Sequence, residues 1–414
     1  SGGARLTGWT RFRDAIYVAE TEDEIGYLYV DGDLMTIARY PNQGWLRTKV
    51  WEELNPIRRH VSQGPTDRNR PGGGPTRIHC PELAEHPRNA DGYWVGSKVR
   101  WRHHSWWYET RPVIGYKASG ELTLGDVSDW DTGPFRWDET GWGLYLDGKL
   151  DELDEPGEWF FDREAKKVYL RMPDDRDPND AVVEASIRST GLSVRDAVVR
   201  NIGFRHQQDT GLRIDGRCIV EDCRFEGIGR DAPPSEQDAG GAALRATSGV
   251  HDAHVRKNVF HRNHNLGITW HEDSTRRSGS VIESNTLTDT GRVAGYGGSG
   301  IWHAVPVRIH SGCGVRICRN RIERSGYSGI LILTPHNVAD QNVILSPMMT
   351  TNDGAGIMTN ASHCTFSRNL VIDSKGEMES SGTWKNLAQG LWLDCYPVDN
   401  RNQVVEGNTV IGSG

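Results

Sequence analysis

From about residue 190 the sequence repeats itself. An Asn followed by a strand-like start recurs as RNIGF at Asn201, KNVF at Asn258, SNTL at Asn285, RNRI at Asn320, QNVI at Asn342, RNLVI at Asn369 and GNTV at Asn408. EDCRF places Asp222 in the same slot. Between these runs a Gly and small or apolar residues recur as GLRI (Gly211), GAAL (Gly241), GITW (Gly267), GILI (Gly329), GIMT (Gly356) and GLWL (Gly390). The shortest spacings between Asn slots are 21 and 22 residues, and the longest is 39. A period near 21–22 built of short alternating strands marks a coiled sheet. One coil cannot bury its apolar residues alone, whereas stacked coils share a continuous core and pair their backbones. The expectation is an all-β chain whose body is a right-handed parallel β-helix of three-sheet coils, its Asn side chains stacked as a ladder. A leucine-rich repeat would need LxxLxL spacing, which is absent.

The unequal spacing is also informative. GRDAPPSEQDAGG follows Phe225, TDTGRVAGYGGSG follows Leu287 and DSKGEMESSGTWKNLAQG follows Ile372. Each comes after an Asn-type strand and before a Gly-type strand. All three therefore emerge at one corner and wall a groove floored by the Gly-type strands.

Residues 1–185 read differently from 186–414. They hold strand-like pieces such as AIYVAE and GYLYVDGDLMTIARY, punctuated by DG and PN turns. GEWFFDREAKKVYLRMP reads as a β-hairpin, with Trp159 and Phe161 alternating before the turn and Val168, Leu170 and Met172 after it. RNRPGGGPTR reads as a flexible loop. This half is expected to be a β-rich region packed on, or inserted into, the start of the helix.

The 414 residues carry a formal net charge of -8 and contain no run of 18 apolar residues, so neither nucleic acid nor a membrane is an expected partner. Fifteen Trp suit either core packing or a carbohydrate platform, since sugars present C–H faces to rings. Cys218/Cys223 and Cys313/Cys318 are each five apart, which on a strand points the two thiols to opposite faces. Buried single thiols are expected, a monomeric chain, and no cofactor or metal. The opening SGGARLTGW reads as the middle of a fold, so an export signal is expected upstream and the location is secreted or periplasmic.

Two Asp stand beside the late Gly-type strands: Asp353 in TNDGAGIMTN and Asp394 in GLWLDCYPVDN. Asp before Gly is also an ordinary turn former. On adjacent coils, however, two carboxyls roughly 5–9 Å apart suit glycosidic hydrolysis, one protonating the leaving oxygen and the other attacking or activating water. Substrate-binding candidates on the same floor are Trp270, His271, Glu272, Glu283, Trp302, His303, His310 and Trp392, with WHE (270–272) and WH (302–303) in equivalent places.

Four stretches resemble the right-handed β-helix hydrolases of glycoside hydrolase family 141: SGGARLTGW, GYLYVDGDLMTIARYPN, LDEPGEWFFDREAKKVYLRMP, and TNDGAGIMTN with LDCYPVDN. The resemblance implies α-L-fucosidase- or xylanase-type hydrolysis, with the catalytic pair on Asp353 and Asp394. Two alternatives stay open. A polysaccharide lyase or epimerase acting on uronates would draw on Arg308, Arg316, Arg324, Lys385, Tyr296 or Tyr327. A non-catalytic carbohydrate-binding β-helix would need none of these.

Overall fold

A computed structural model describes residues 1–49, 76–125, 141–231, 241–275, 277–297, 303–382, 386–394 and 400–414. Trp302, Lys385 and all but the last two residues of RNRPGGGPTR lie outside them. Residues 190–411 form three eight-stranded parallel sheets. The first runs from Thr190–Arg195 to Ala388–Leu393, the second from Val198–Arg200 to Val404–Glu406, and the third from Gly203–Arg205 to Thr409–Ile411. The chain visits the three in turn and then steps to the next coil, eight times in all. This is a three-sheet parallel β-helix. The three insertions all fall between a third-sheet strand and the next first-sheet strand. Among the described residues no helix is long and apolar enough to cross a membrane.

Second- and third-sheet strands of three residues point one side chain inward each. That side chain is Val220, Val255, Ile282 and Ile317 in the second sheet, and Phe225, Phe260, Leu287 and Ile322 in the third. The rings of Phe204, Phe225 and Phe260 stack at 5.0 and 4.5 Å.

The Asn ladder runs from Asn258 through Asn285, Asn320, Asn342 and Asn369 to Asn408. Each Nδ2 donates to the next Oδ1 at 2.9–3.0 Å. Each backbone N–H from Asn258 to Asn369 also donates to the next Oδ1, and each Nδ2 to a carbonyl of the preceding coil, such as Ile317 for Asn342. Asn201 and Asp222 are not in the ladder, contrary to the expectation. Cys223 takes the slot, its N–H donating to Asn258 Oδ1. Asn201 and Asp222 stand one position earlier, with φ of 56° and 53°, in the column of Lys257, Ser284 and Arg319. Asn and Asp are among the few residues that tolerate this left-handed corner.

The glycine column is likewise shifted at one coil. A Cβ on Gly211 would stand 2.6 Å from the Ala243 carbonyl, and one on Gly267 2.4 Å from that of Pro306. Register pairs Leu212 with Leu244, so Ala243, not Gly241, occupies the slot in the third coil. Cys218, Cys223 and Cys318 are buried free thiols and Cys313 is half-buried.

The N-terminal region is three mostly antiparallel sheets. The hairpin expected at 158–171 forms, pairing Trp159 with Leu170. A buried ionic cluster joins this region to the helix. Arg100, fully buried, donates to Asp147 Oδ2 (2.7 Å), to both Asp231 oxygens (2.8 and 2.6 Å) and to the Gly295 carbonyl (2.6 Å). Lys98 and the Tyr27 hydroxyl also reach Asp231. Burial pushes the Asp231 carboxyl up, but Arg100, Lys98 and Tyr27 together hold it far below the usual carboxylate range.

Two outcomes follow for stability. Asn342→Ala removes the acceptor of both Asn320 donors inside the core, and each stranded group costs about 1–3 kcal/mol. Calorimetry should show a loss of about 2–4 kcal/mol, against a smaller loss of about 1 kcal/mol for Asn201→Ala, which sits outside the ladder but at a left-handed corner. Arg100→Met leaves Asp231 and Asp147 without their main counter-charge and should cost about 3–5 kcal/mol.

Candidate active site

Outward positions of the first sheet line up coil by coil. One row runs Arg213, Arg245, Thr269, Arg308, Leu331, Met358 and Trp392. Its later half is apolar. Leu331 and Met358 join Tyr327, Met348 and Ala355 in a buried outer cluster, on which Trp106, Leu333 and Trp392 pack partly exposed. The two Asp stand at the edges of this patch.

Asp353 is the last residue before the strand Gly354–Thr359, in the left-handed region at φ 62°. Asp394 directly follows the neighbouring strand Ala388–Leu393, and its N–H extends the ladder to Thr359 O at 2.9 Å. Because Gly354 pairs with Ala388, Asp394 stands seven positions along from Leu387, the neighbour of Asp353. On a straight strand that offset would be about 23 Å, far more than the few ångströms expected from coil adjacency. The strand is not straight. Gly356 has no ladder partner, and alternation slips there: Ala355 and Met358 both face the outer cluster while Ile357 faces the core. Tyr327, on the preceding coil, reaches both sides of this bend, Asp353 and Met358. Its hydroxyl donates to Asp353 O at 3.1 Å. Burial first, then the charges of Asp353 and Asp394, raise the proton affinity of that hydroxyl.

Asp394 also acts on Asp353. Burial pushes Asp353 up to about 6, the charge of Asp394 adds to this, and a hydrogen bond from Ser105 opposes it. Asp394 is held by its neighbours: Asn360 Nδ2 donates to Oδ2 at 2.8 Å and Asn400 Nδ2 to the backbone carbonyl at 2.9 Å.

The other candidates divide. Trp392 is on the outer face beside Met358. His271 and His310 face outward on the fourth and fifth coils, their rings 4.6 Å apart, with a ring nitrogen of His271 3.1 Å from Thr269 Oγ1. His303 is buried edge-on to Tyr108, at 6.3 Å. Trp302 lies outside the described residues. Trp270 and Glu272 are corrected by the structure: both point inward. Trp270 pairs with Ile309 in the core, and its Nε1 donates to Glu272 at 2.8 Å, as does the Ser278 hydroxyl. Burial raises the Glu272 carboxyl against those bonds. Strand parity is the reason, since Ile268 and Trp270 share the inner face and leave His271 outside. Glu283 is corrected too. It ends a second-sheet strand and pairs with Arg319, on another face of the coil. Nor are WHE and WH equivalent: Trp270 and His271 close a first-sheet strand, whereas His303 precedes Val307–Ser311.

Sequence reasoning missed Ser105, Trp106 and Asn360, and considered Tyr327 only as a lyase base. Asn360 was readable, being the outward residue paired in register with Asp394. Ser105 and Trp106 lie 248 residues or so before Asp353 and gave no local signal. Among the described residues no three His, Cys, Asp or Glu converge as metal ligands.

A family model described as a right handed beta helix region matches residues 185–371. No curated protein matches the chain. A solved structure described as a glycoside hydrolase superposes with a TM-score of 0.69 at 14% identity, covering 99% of this chain and 82% of that one. XylC in complex with xylose gives a TM-score of 0.40 at 12% identity, over 97% and 58%. The catalytic domain of a GH87 α-1,3-glucanase with tetrasaccharides gives 0.25 at 10%, over 99% and 67%. The first shows a shared fold; the other two superpose too loosely to bear on this chain.

The raised Asp353 has a consequence for stability. An unfolded Asp titrates near 3.9, so a folded value near 6 means that the native state holds the proton more tightly. The stabilisation from that proton is complete below about pH 4 and is lost as pH rises through 6. Asp353→Asn, neutral throughout, should therefore raise Tm at pH 7.5 by about 2–4 °C and give no comparable gain at pH 4.

Proposed function

We propose that this chain hydrolyses glycosidic bonds, with Asp353 as the general acid and Asp394 as the carboxylate partner. The observation that carries the reading is the pair of carboxyls beside Tyr327, of which burial, with the charge of Asp394 adding to it, keeps Asp353 protonated up to about pH 6. A general acid needs its proton at working pH, and the partner must stay ionised. Asn360, donating to Asp394 Oδ2, fixes the orientation of that carboxyl group. Trp106 and Trp392, partly exposed where they pack on the buried outer cluster, offer ring faces for the C–H faces of a sugar. The likeness in fold to a glycoside hydrolase is compatible with this.

In this reading Asp353 gives its proton to the leaving glycosidic oxygen as the C–O bond breaks. Asp394 takes a proton from a water that attacks the anomeric carbon from the other face. This inverting course needs room for that water between the two carboxyls. The substrate is a fucoside- or xylan-like glycan, as the sequence resemblance implies.

Kinetics with 4-nitrophenyl α-L-fucoside, 4-nitrophenyl β-D-xyloside and a fucosylated or xylan-type glycan test it. Asp353→Asn should lose about 10²–10⁴-fold in kcat/KM on the glycan and far less on the aryl glycosides, whose leaving group needs no proton. Asp394→Asn should lose activity on both. Wild-type kcat/KM on the glycan should fall above about pH 6 as Asp353 gives up its proton. Near wild-type rates for both variants, or products absorbing near 235 nm from a uronate polymer as about one new double bond per cut would reveal, would sink the proposal.

A further inference from the structure

The N-terminal region contributes a hairpin that ends against Asp353. Strands Lys98–His104 and Trp107–Lys117 pair antiparallel, with an irregular step between Arg102 and His104, and Ser105 and Trp106 form the tip. Ser105 is fully buried. Its hydroxyl lies 3.3 Å from Asp353 Oδ2 and its carbonyl accepts from the Asn352 N–H at 2.9 Å. The tip is therefore fixed at two points to the segment that carries Asp353.

The tip is also fixed from behind. Arg102, fully buried, donates to Ser105 O (2.7 Å), Glu377 O (2.9 Å), the Glu377 carboxylate (2.5 Å) and Ser380 Oγ (2.9 Å). The Tyr108 hydroxyl lies 2.8 Å from the same Ser380 oxygen. Residues 377–380 belong to the insertion that leads into the Asp394 strand. Trp106, beside Ser105, packs on the outer apolar cluster.

We infer that Ser105 is a positioning residue for Asp353: its hydroxyl holds the carboxyl's orientation and sets how readily it releases a proton. This rests on the proposed acid role. A hydroxyl that donates to a carboxylate stabilises the ionised form. Burial and Asp394 work in the opposite direction. The described groups facing this carboxyl are Ser105 from the hairpin, Tyr327 from the preceding coil and Asp394 from the following one. Arg102 and Glu377 stand behind Ser105 and pair with each other. Ser105 keeps its own proton throughout; the proton that moves is the one on Asp353. The N-terminal region is then a working part of the site, since the helix alone leaves its acid without this donor.

The test is a direct titration of Asp353 in the full chain, by carbon-13 NMR of protein labelled at its Asp carboxyls, the resonance being assigned by its loss in Asp353→Asn. Ser105→Ala should move the Asp353 midpoint upward by about one pH unit, and Ser105→Thr, which keeps the hydroxyl, should stay closer to wild type. The alkaline limb of kcat/KM should move with it. A shifted titration with no matching limb in the rate would uphold the Ser105 contact and remove Asp353 from the acid role. An unshifted titration in Ser105→Ala would overturn the inference, whatever the rates. If Ser105→Ala melts more than a few degrees early, Ser105→Thr against Ser105→Cys gives the same comparison, a strong donor against a weak one, and equal midpoints would overturn it.

Discussion

Everything in this molecule is subject to the close stacking of coil on coil. Strands of a parallel sheet lie about 4.8 Å apart, and at a few positions the backbones come closer than a side chain allows. At Gly211 and Gly267 the next coil's carbonyl occupies the space of a Cβ. At the Asn ladder one side chain, such as that of Asn342, serves four backbone or amide groups at once. The connection from the second sheet to the third keeps one length throughout, the one from the first to the second varies, and the one from the third to the first varies most. That most permissive corner is where the three long insertions lie, and the candidate site is built beside it.

Two buried carboxyls show how the same residue chemistry takes different roles. Glu272 and Asp353 both have proton affinity raised by burial. Glu272 accepts bonds from Trp270 and Ser278 inside the core, where it completes a polar cluster. Asp353 sits at a kinked strand end, on the outer face, within the field of a second carboxylate. Location relative to the sheet, set by strand parity, separates a structural acid from a candidate catalytic one.

Much of the helix was legible because its constraints are local. Asn in the ladder, small residues in the close-approach column and inward Val, Ile and Phe all repeat with the coil. The errors come from residues with two uses. Asn201 and Asp222 suit a left-handed corner as well as Asn258 suits a ladder, and the two slots are one position apart. Trp270 and Glu272 looked like groove residues because WHE was taken as a unit, although alternate positions on a strand face opposite ways. Of the proposed site, only the two Asp were legible. Ser105 reaches Asp353 across 248 residues, and no periodic pattern carries such a contact.

The strand Lys98–His104 lies along the stack rather than across it. At its beginning Lys98 and Arg100 hold Asp231, which follows the second coil; beyond its far end Ser105 meets Asp353, which precedes the seventh. Four coil steps separate those two levels, about 19 Å, and seven extended residues cover about 23 Å. The strand thus works as a gauge of coil number. A solenoid can ordinarily gain or lose a repeat by duplication, but here one repeat more or fewer between Asp231 and Asp353 would carry either the ionic cluster or the candidate acid out of reach. The number of turns in this stretch is fixed from outside the helix, by a measuring strand in another part of the chain.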